Sequence, residues 1–480
     1  MVRRQRVSGP RTARICTRRS GGWQPRRRLA TGPTVAVALA IVAWAQPAGM
    51  NIAQAVDGAL KNYPSIRVTQ EEMNAAAAGI RLAQTAYLPR VDGLFQINRA
   101  TRNTFYGLLL PQSAIPGVDG NALNNFGTVW DSGAGILVGW QPFDFGLRRA
   151  NVAAATASRD QAQATLNRTR YDVSVATADV FLTVVAAQET AAAAKAAVDS
   201  WQILQRSTHA LVSAQLRPGA DESRVLAELA LAQTQVAQAE QAIDVARATL
   251  AQFVGVEPSA VSVSPGRLLE IPAEEPEAPF RVAGNPLALE QNSRIAGERS
   301  RLDALGRTYY PQFLVQGLAS ARGTGQEISG ARQGGLNGLA PTTQNYGIGI
   351  TVTFSAMDKF ALREQEAVES AKIRAGEAQY QLVEANLRAQ FNVALATLAG
   401  ARRVAANTPV EVSSARTAVE QARARYLSGL APIDDLAQAQ RLLAQAQIDD
   451  ALARLNVWRA RLQVATARGD IGPFLREVTR

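Results

Sequence analysis

One cysteine and one histidine in 480 residues leave little room for the commoner chemistries of protein active sites. The cysteine, Cys16, precedes the first apolar run, so it is misplaced to carry the lipid of a lipoprotein, and no intrachain disulfide can form. The histidine, His209, stands alone, which excludes His-based metal centres and Ser-His-Asp triads; with no partner in view, it reads as a surface residue. There is no Gly-x-x-x-x-Gly-Lys-Ser/Thr phosphate loop, and Gly323 and Gly325 lack the strand-turn-helix setting of a dinucleotide site. A protein without catalytic groups, cofactor or metal is the expectation. Aromatic residues make up only 6% of the chain, so the places where they gather carry information.

Acid is missing from the first fifty residues, which hold ten arginines and no carboxylate before Asp57. An apolar run over residues 34–44 follows, then Ala43-Trp44-Ala45. Basic n-region, short h-region and Ala-x-Ala site predict a secretory signal over residues 1–45, cleaved after Ala45. The run is about half the roughly twenty residues a membrane-spanning helix needs. Removing the ten arginines from a formal charge of +11 leaves about +1. The basicity that would suggest a nucleic-acid partner is therefore discarded with the signal.

What remains is duplicated. Ala86-Tyr87-Leu88-Pro89 returns as Thr308-Tyr309-Tyr310-Pro311, 222 positions later, and Trp140 to Asp144 returns as Phe354 to Asp358, 214 later. Gly219 is matched to Gly429, 210 later. Each copy reads as helix, two strands, a very long helix, a glycine turn and a return helix, a unit too large for a solenoid repeat. The expected division is a first repeat over 46–268, an equatorial linker over 269–285, a second repeat over 286–470 and a C-terminal periplasmic tail over 471–480.

The strands alternate. Val91, Gly93, Phe95 and Ile97 share one face, as do Ala134, Ile136, Val138 and Trp140. The last strand is the sharpest: Tyr346, Ile348, Ile350, Val352 and Phe354 alternate with Gly347, Gly349, Thr351, Thr353 and Ser355. A half-buried soluble strand alternates too. The length of this run, close to the nine to eleven residues of a tilted transmembrane strand, and the aromatics at its ends favour a lipid face made of Trp140, Tyr346, Ile348, Ile350, Val352 and Phe354. The Gly/Pro/Asn-rich stretch 101–126 reads as a loop, and the Gly-rich stretch 322–343 as an extracellular loop.

The helices are long. Residues 146–216 carry almost nothing but helix formers, about 100 Å at 1.5 Å per residue, and 361–428 are similar apart from interruptions at Gly376, Gly400 and Pro409. The first return helix repeats Val225, Leu229, Ala232, Val236, Ala239, Ile243, Ala246, Leu250 and Phe253 at strict heptad spacing, a coiled-coil seam. Each return helix is half as long as its partner. The gap is filled if residues 285–308 extend the first return helix and 51–86 the second. Four strands cannot close a barrel, and open edges in lipid cost several kcal/mol per unpaired group, so transmembrane strands imply an oligomer.

The chain resembles the TolC-type outer-membrane efflux channels over nearly all of residues 51–470. The most specific segments are Trp140-Gln141-Pro142-Phe143-Asp144-Phe145-Gly146-Leu147-Arg148-Arg149-Ala150, where strand becomes helix, and Tyr426-Leu427-Ser428-Gly429-Leu430-Ala431-Pro432-Ile433-Asp434-Asp435-Leu436, at a hairpin tip. The resemblance implies an α+β membrane protein: a homotrimer sharing a transmembrane β-barrel, four strands per chain, above a long α-helical coiled-coil barrel in the periplasm. It also implies an inner-membrane pump and a periplasmic adaptor (membrane fusion) protein as partners, with no catalysis in the channel. The family aspartate six residues after the tip glycine falls on Asp435, beside Asp434, which makes these two the expected periplasmic entrance gate. Matched through Gly219, the same spacing in the first copy falls on Val225, and a second family acid falls on Gln438. Adaptor contact is expected at Arg217, Gly219, Ser428, Gly429 and Leu430. Two alternatives stand beside efflux: the outer-membrane component of type I protein secretion, and a non-channel periplasmic coiled-coil scaffold.

Overall fold

A computed structural model of the chain describes residues 49–101, 128–273, 279–325 and 334–479. The signal segment with Cys16, the 102–127 stretch and the centre of the 322–343 stretch lie outside them.

The first repeat opens with α1 (Ile52–Asn62), whose Asn51 and Gln54 cap each other's backbone amides in a capping box. Pro64, with no amide to donate, ends that helix and begins α2 (Pro64–Thr85). Strands β1 (Arg90–Thr101) and β2 (Thr128–Trp140) follow, then α3 (Leu147–Ser213) and α4 (Gly219–Val254). The second repeat is α5 (Pro286–Gly306), β3 (Gln312–Thr324), β4 (Thr343–Thr353), α6 (Asp358–Leu427) and α7 (Ile433–Arg468), with a short α8 (Gly472–Thr479) after it. The four strands form one antiparallel sheet in sequential order.

Helices of 67 and 70 residues, about 100 Å each, are not stable through propensity alone; packing on the return helices holds them. The seam of α4 buries Val225, Ala232, Ala239, Ala246 and Leu250, and alanine at alternate positions lets α3 approach closely. In α6 the buried residues Val383, Leu387, Ala394, Leu398, Ala405, Ala415, Val419 and Tyr426 recur at the same spacing. Trp201 and Trp458, 4% and 1% exposed, are packing residues.

Three expectations change. The helix α6 is continuous through Gly376, Gly400 and Pro409. Gly376 admits Ile295 of α5 into contact and its carbonyl accepts from Gln291 Nε2 (3.0 Å). Beside Pro409, Thr408 donates to the buried Asp450 (2.8 Å) and ties the turn to α7. The end-to-end stacking is also the reverse of that expected. Asn62, at the end of α1, donates to Val254 O at the end of α4 (2.7 Å) and Tyr63 stacks on Phe253, so α2 continues the first return helix. Asn285 caps α5 and donates to Ala467 O (3.2 Å), so α5 continues α7. Each stack thus joins two distant parts of one repeat.

The third correction concerns the tips. Both long helices end in the same Schellman geometry: Leu216 N to Leu211 O (2.9 Å) and Gln215 N to Val212 O (2.9 Å), against Leu430 N to Arg425 O (2.8 Å) and Gly429 N to Tyr426 O (3.1 Å). Gly429, at φ 79°, therefore corresponds to Gln215, at φ 62°, and Pro218 to Pro432. Gly219 is the first residue of α4 and has no part in the turn. At this offset of 214 the counterpart of Asp435 is Asp221, not Val225.

Around the equator, α1, α8 and residues 261–273 close over α3 and α7. Trp458 Nε1 donates to Glu270 O (2.8 Å), Arg454 to Leu269 O (3.5 Å) and Arg461 to Ala273 O (3.3 Å), so one row of α7 side chains holds the linker's carbonyls.

Candidate functional site

The strand register decides which residues share a face. Val91 lies opposite Val138, Gly93 opposite Ile136 and Phe95 opposite Ala134. Trp140 lies opposite Val315 and Ile136 opposite Ala319. Phe313 lies opposite Val352, Val315 opposite Ile350, Gly317 opposite Ile348 and Ala319 opposite Tyr346. Since directly opposed residues point the same way, one continuous surface of apolar and small side chains crosses all four strands. The other face carries Arg90, Asp92, Gln96, Gln312, Gln316, Ser320, Arg322, Asn345, Thr351 and Thr353, with Leu94, Leu137, Leu314 and Leu318 among them.

The proposed lipid-face residues stand on the apolar surface: Tyr346 is 93% exposed, Ile348 85% and Ile350 73%, with Val352, Phe354 and Trp140 also exposed. Trp130 and Trp140 point outward ten positions apart in β2, about 33 Å along the strand. Arg99 lies over the Trp130 ring (5.3 Å) at one rim, and Tyr309 meets Phe354 edge-on (5.4 Å) at the other. The strand alternation thus located the face on β1, β2 and β4; β3 joined it only through the register.

Below the sheet lies a contact that sequence reasoning missed. Asp144 accepts from Gly146 N (3.1 Å), Arg148 N (2.7 Å) and Arg148 Nε (2.8 Å). The same guanidinium reaches Ala86 O (3.4 Å) and Pro142 O (3.3 Å) and lies over the Tyr87 ring (4.8 Å). Phe145 and Gly146 turn the chain from strand to helix with φ 50° and 85°, and Arg307 Nη1 donates to the Phe145 carbonyl (3.2 Å). Acid and base four apart at a helix start were the available signal. The second repeat keeps the acid as Asp358 but has Leu362 where Arg148 would be.

At the far end the two hairpin tips meet. Arg217 of the first tip donates to Tyr426 O of the second and stacks over its ring (4.5 Å). The Tyr426 hydroxyl donates to Asp221 Oδ2 (3.1 Å). Arg224 pairs with Asp434 (3.3 Å). Burial, and after it the neighbouring Asp221 carboxylate, raise the Tyr426 pKa, so the phenol remains a donor. Trp201, Leu204, Val225, Tyr426, Ile433 and Leu436 form the apolar cluster beneath. Asp434 and Asp435 are exposed, with Asp434 engaged by Arg224 and Asp435 outside every ion pair among the described residues. Arg217 is part of the contact between tips. Ser428 and Gly429 form the second turn, Leu430 is 73% exposed at its apex, and Gly219 sits apart at the start of α4. His209 is not without a partner: its Nδ1 is 2.7 Å from Glu222 Oε1.

A sheet with one apolar face, joined to antiparallel helices about 100 Å long, is the arrangement of a set of membrane-inserting strands on a long helical shaft. The chain belongs to the outer membrane efflux protein family, which it matches over residues 55–256 and 286–470. Its fold is similar to that of the CmeC outer membrane channel of Campylobacter jejuni (TM-score 0.69, 16% identity, 89% of each chain). It is also similar to VceC of Vibrio cholerae (0.66, 16%, 87% of this chain and 96% of that one) and to the open state of MtrE of Neisseria gonorrhoeae (0.65, 14%, 87% and 89%). A curated relative, Protein CyaE of Bordetella pertussis, is 28% identical over 280 residues, 56% of this chain and 52% of the relative; the chain thus spans about half of that protein's length.

Proposed function

We propose that three copies of this chain form the passive outer-membrane duct of a tripartite efflux system, with an adaptor and an inner-membrane pump supplying substrate and energy. The observation that carries the reading is the sheet: four strands, a continuous apolar face and two open edges. In lipid those edges have to be paired, and antiparallel barrels of fewer than eight strands are not built. A periplasmic scaffold would have no use for such a face. The division into signal (1–45), repeats (46–268 and 286–470), linker (269–285) and periplasmic tail (471–480) belongs to the same reading.

Adaptor contact falls on the tips. Leu430, with Leu216 (70% exposed) in the first tip, offers apolar apices, and Arg217, Gly219, Ser428 and Gly429 surround them. The entrance gate is assigned to Asp434 and Asp435. With Asp434 neutralised by Arg224, the unpaired Asp435 supplies the ring of three carboxylates that draws cations and repels anions.

Single-channel recording in planar bilayers tests both parts. Wild type is expected to form cation-selective channels, and Asp435→Ala to lower the cation-to-anion permeability ratio severalfold, read from the reversal potential in a salt gradient. Channels indifferent to the substitution would remove the ring. Protein that stays soluble without detergent and forms no channel would overturn the duct.

A further inference from the structure

The duplication carries the register of the sheet along with its sequence. β1 maps onto β3 by 222 positions and β2 onto β4 by 214. Under these shifts the pair Arg90 and Gly139 becomes Gln312 and Thr353, Val91 and Val138 becomes Phe313 and Val352, and Phe95 and Ala134 becomes Gly317 and Ile348; every one of these is an observed pair. The β1–β2 ladder is therefore reproduced without slippage in β3–β4. The β2–β3 ladder, which includes Trp140 opposite Val315, has no second instance within the chain. Shifted forward, Trp140 becomes Phe354, and Val315 shifted back becomes Gly93.

We propose that β4 of one copy pairs antiparallel with β1 of the next in this register, with Phe354 opposite Gly93, Val352 opposite Phe95, Thr351 opposite Gln96 and Ile350 opposite Ile97. The inference rests on the trimeric reading above and adds the joint by which the copies close. The faces agree. Val352 and Ile350 meet Phe95 and Ile97 on the apolar side, while Thr351 meets Gln96 on the polar side. A slip by one residue would turn one strand's apolar set inward, so only even displacements compete.

Closure geometry chooses among the even displacements. The ladder runs straight across from Arg90 to Gly139 to Gln316, yet the repeat counterpart of Arg90 is Gln312, four residues lower. Four residues per repeat and six repeats per trimer give a shear of about 24. With about 4.8 Å between strands and 3.3 Å per residue, twelve strands then tilt by about 54° around a circumference of about 100 Å. Twelve helices spaced 8–10 Å apart need roughly 96–120 Å. A tilt near 40° would give only about 75 Å, too narrow to continue into that tunnel. The steeper tilt also requires about 13 residues to cross a 25 Å band, and the strands contain 12, 13, 13 and 11.

Cysteine pairs in a Cys16→Ser background test the joint. Directly opposed residues lie about 4.5–5.5 Å apart at Cα, within disulfide range, whereas a two-residue slip moves the partner to about 8 Å, outside it. Each variant is first measured under reducing conditions by native mass. On oxidation, Gln96→Cys with Thr351→Cys, and Leu94→Cys with Thr353→Cys, are expected to give covalent dimers and trimers on non-reducing gels. Gln96→Cys with Gly349→Cys or with Thr353→Cys is expected to remain largely uncrosslinked. Preferential crosslinking of either slipped pair would overturn the register and leave the trimer standing. A monomeric native mass with no crosslink from any pair would overturn the assembly itself.

Discussion

Arg148→Ala is expected to destabilise the folded protein by about 3–5 kcal/mol, the cost of stripping the partner from a buried carboxylate. The Arg148 and Asp144 side chains are only 9% and 11% exposed. The guanidinium binds the segment before β1, the turn after β2 and the start of α3 together, so its removal also strands the Ala86 and Pro142 carbonyls. The pH dependence follows from Asp144. Burial by itself would raise its pKa, but the combined hydrogen bonds from the Arg148 amide and side chain and the Gly146 amide, with the nearby charge, outweigh it and hold the pKa below the ordinary value. A depressed carboxylate contributes stability that is present above its unfolded pKa, near 4, and is lost as pH falls through the lower folded value. The gap between wild type and Arg148→Ala is therefore widest near neutrality and narrows below about pH 4. Tryptophan-monitored denaturation in detergent across pH reads this directly. A variant within about 1 kcal/mol of wild type at pH 7, with an unchanged acid limb, would show the clip to be dispensable.

The second large effect is on gating. Arg217→Ala removes a hydrogen bond from a charged group and a cation–π contact that hold Tyr426 of the second hairpin against the first, and Tyr426→Phe removes the hydrogen bond to Asp221. Bonds from charged donors contribute about 1.5–3 kcal/mol and exposed to partly buried cation–π contacts about 0.5–2 kcal/mol. Loss of about 2 kcal/mol at each tip shifts the balance between joined and parted tips about 30-fold per protomer. Arg217→Ala channels are expected to open more often and longer in planar bilayers, Tyr426→Phe channels less so. Leu436, Val225 and Trp201 still pack beneath, so the thermal midpoint should barely move. Unaltered open times in both variants would show that the tips are held elsewhere.

Much of the fold can be read from local periodicity. The strict spacing from Val225 to Phe253 predicts a two-helix seam, and its members are buried or half-buried in α4. The alternation from Tyr346 to Phe354 predicts a two-faced strand, and Pro64 marks the break between α1 and α2. These patterns are visible because each residue's role depends on neighbours two to four positions away.

The errors arose where the deciding contact spans a long stretch of chain. Which short helix continues which return helix rests on Asn62 with Val254 and Asn285 with Ala467, single polar contacts between residues 192 and 182 positions apart. No period announces them. The tip alignment failed because a glycine was expected at the positive-φ position of both turns, while Gln215 occupies it in the first and Gly219 is merely the next glycine along. Once the turns are matched by hydrogen bonds, Asp221 faces Tyr426 and takes the place of Asp435 in the first copy.

By itself the sequence determined the duplicated unit, the helix and strand types, the apolar faces of β1, β2 and β4 and the family, since these follow from side-chain order along one element. Only the tertiary structure decided the continuous apolar face across β3, the clip between Asp144 and Arg148 beneath the sheet and the contact of Arg217 and Asp221 with Tyr426. Strand register and helix-to-helix contact are set by hydrogen bonds and packing between distant segments, and those interactions leave no periodic trace along the chain.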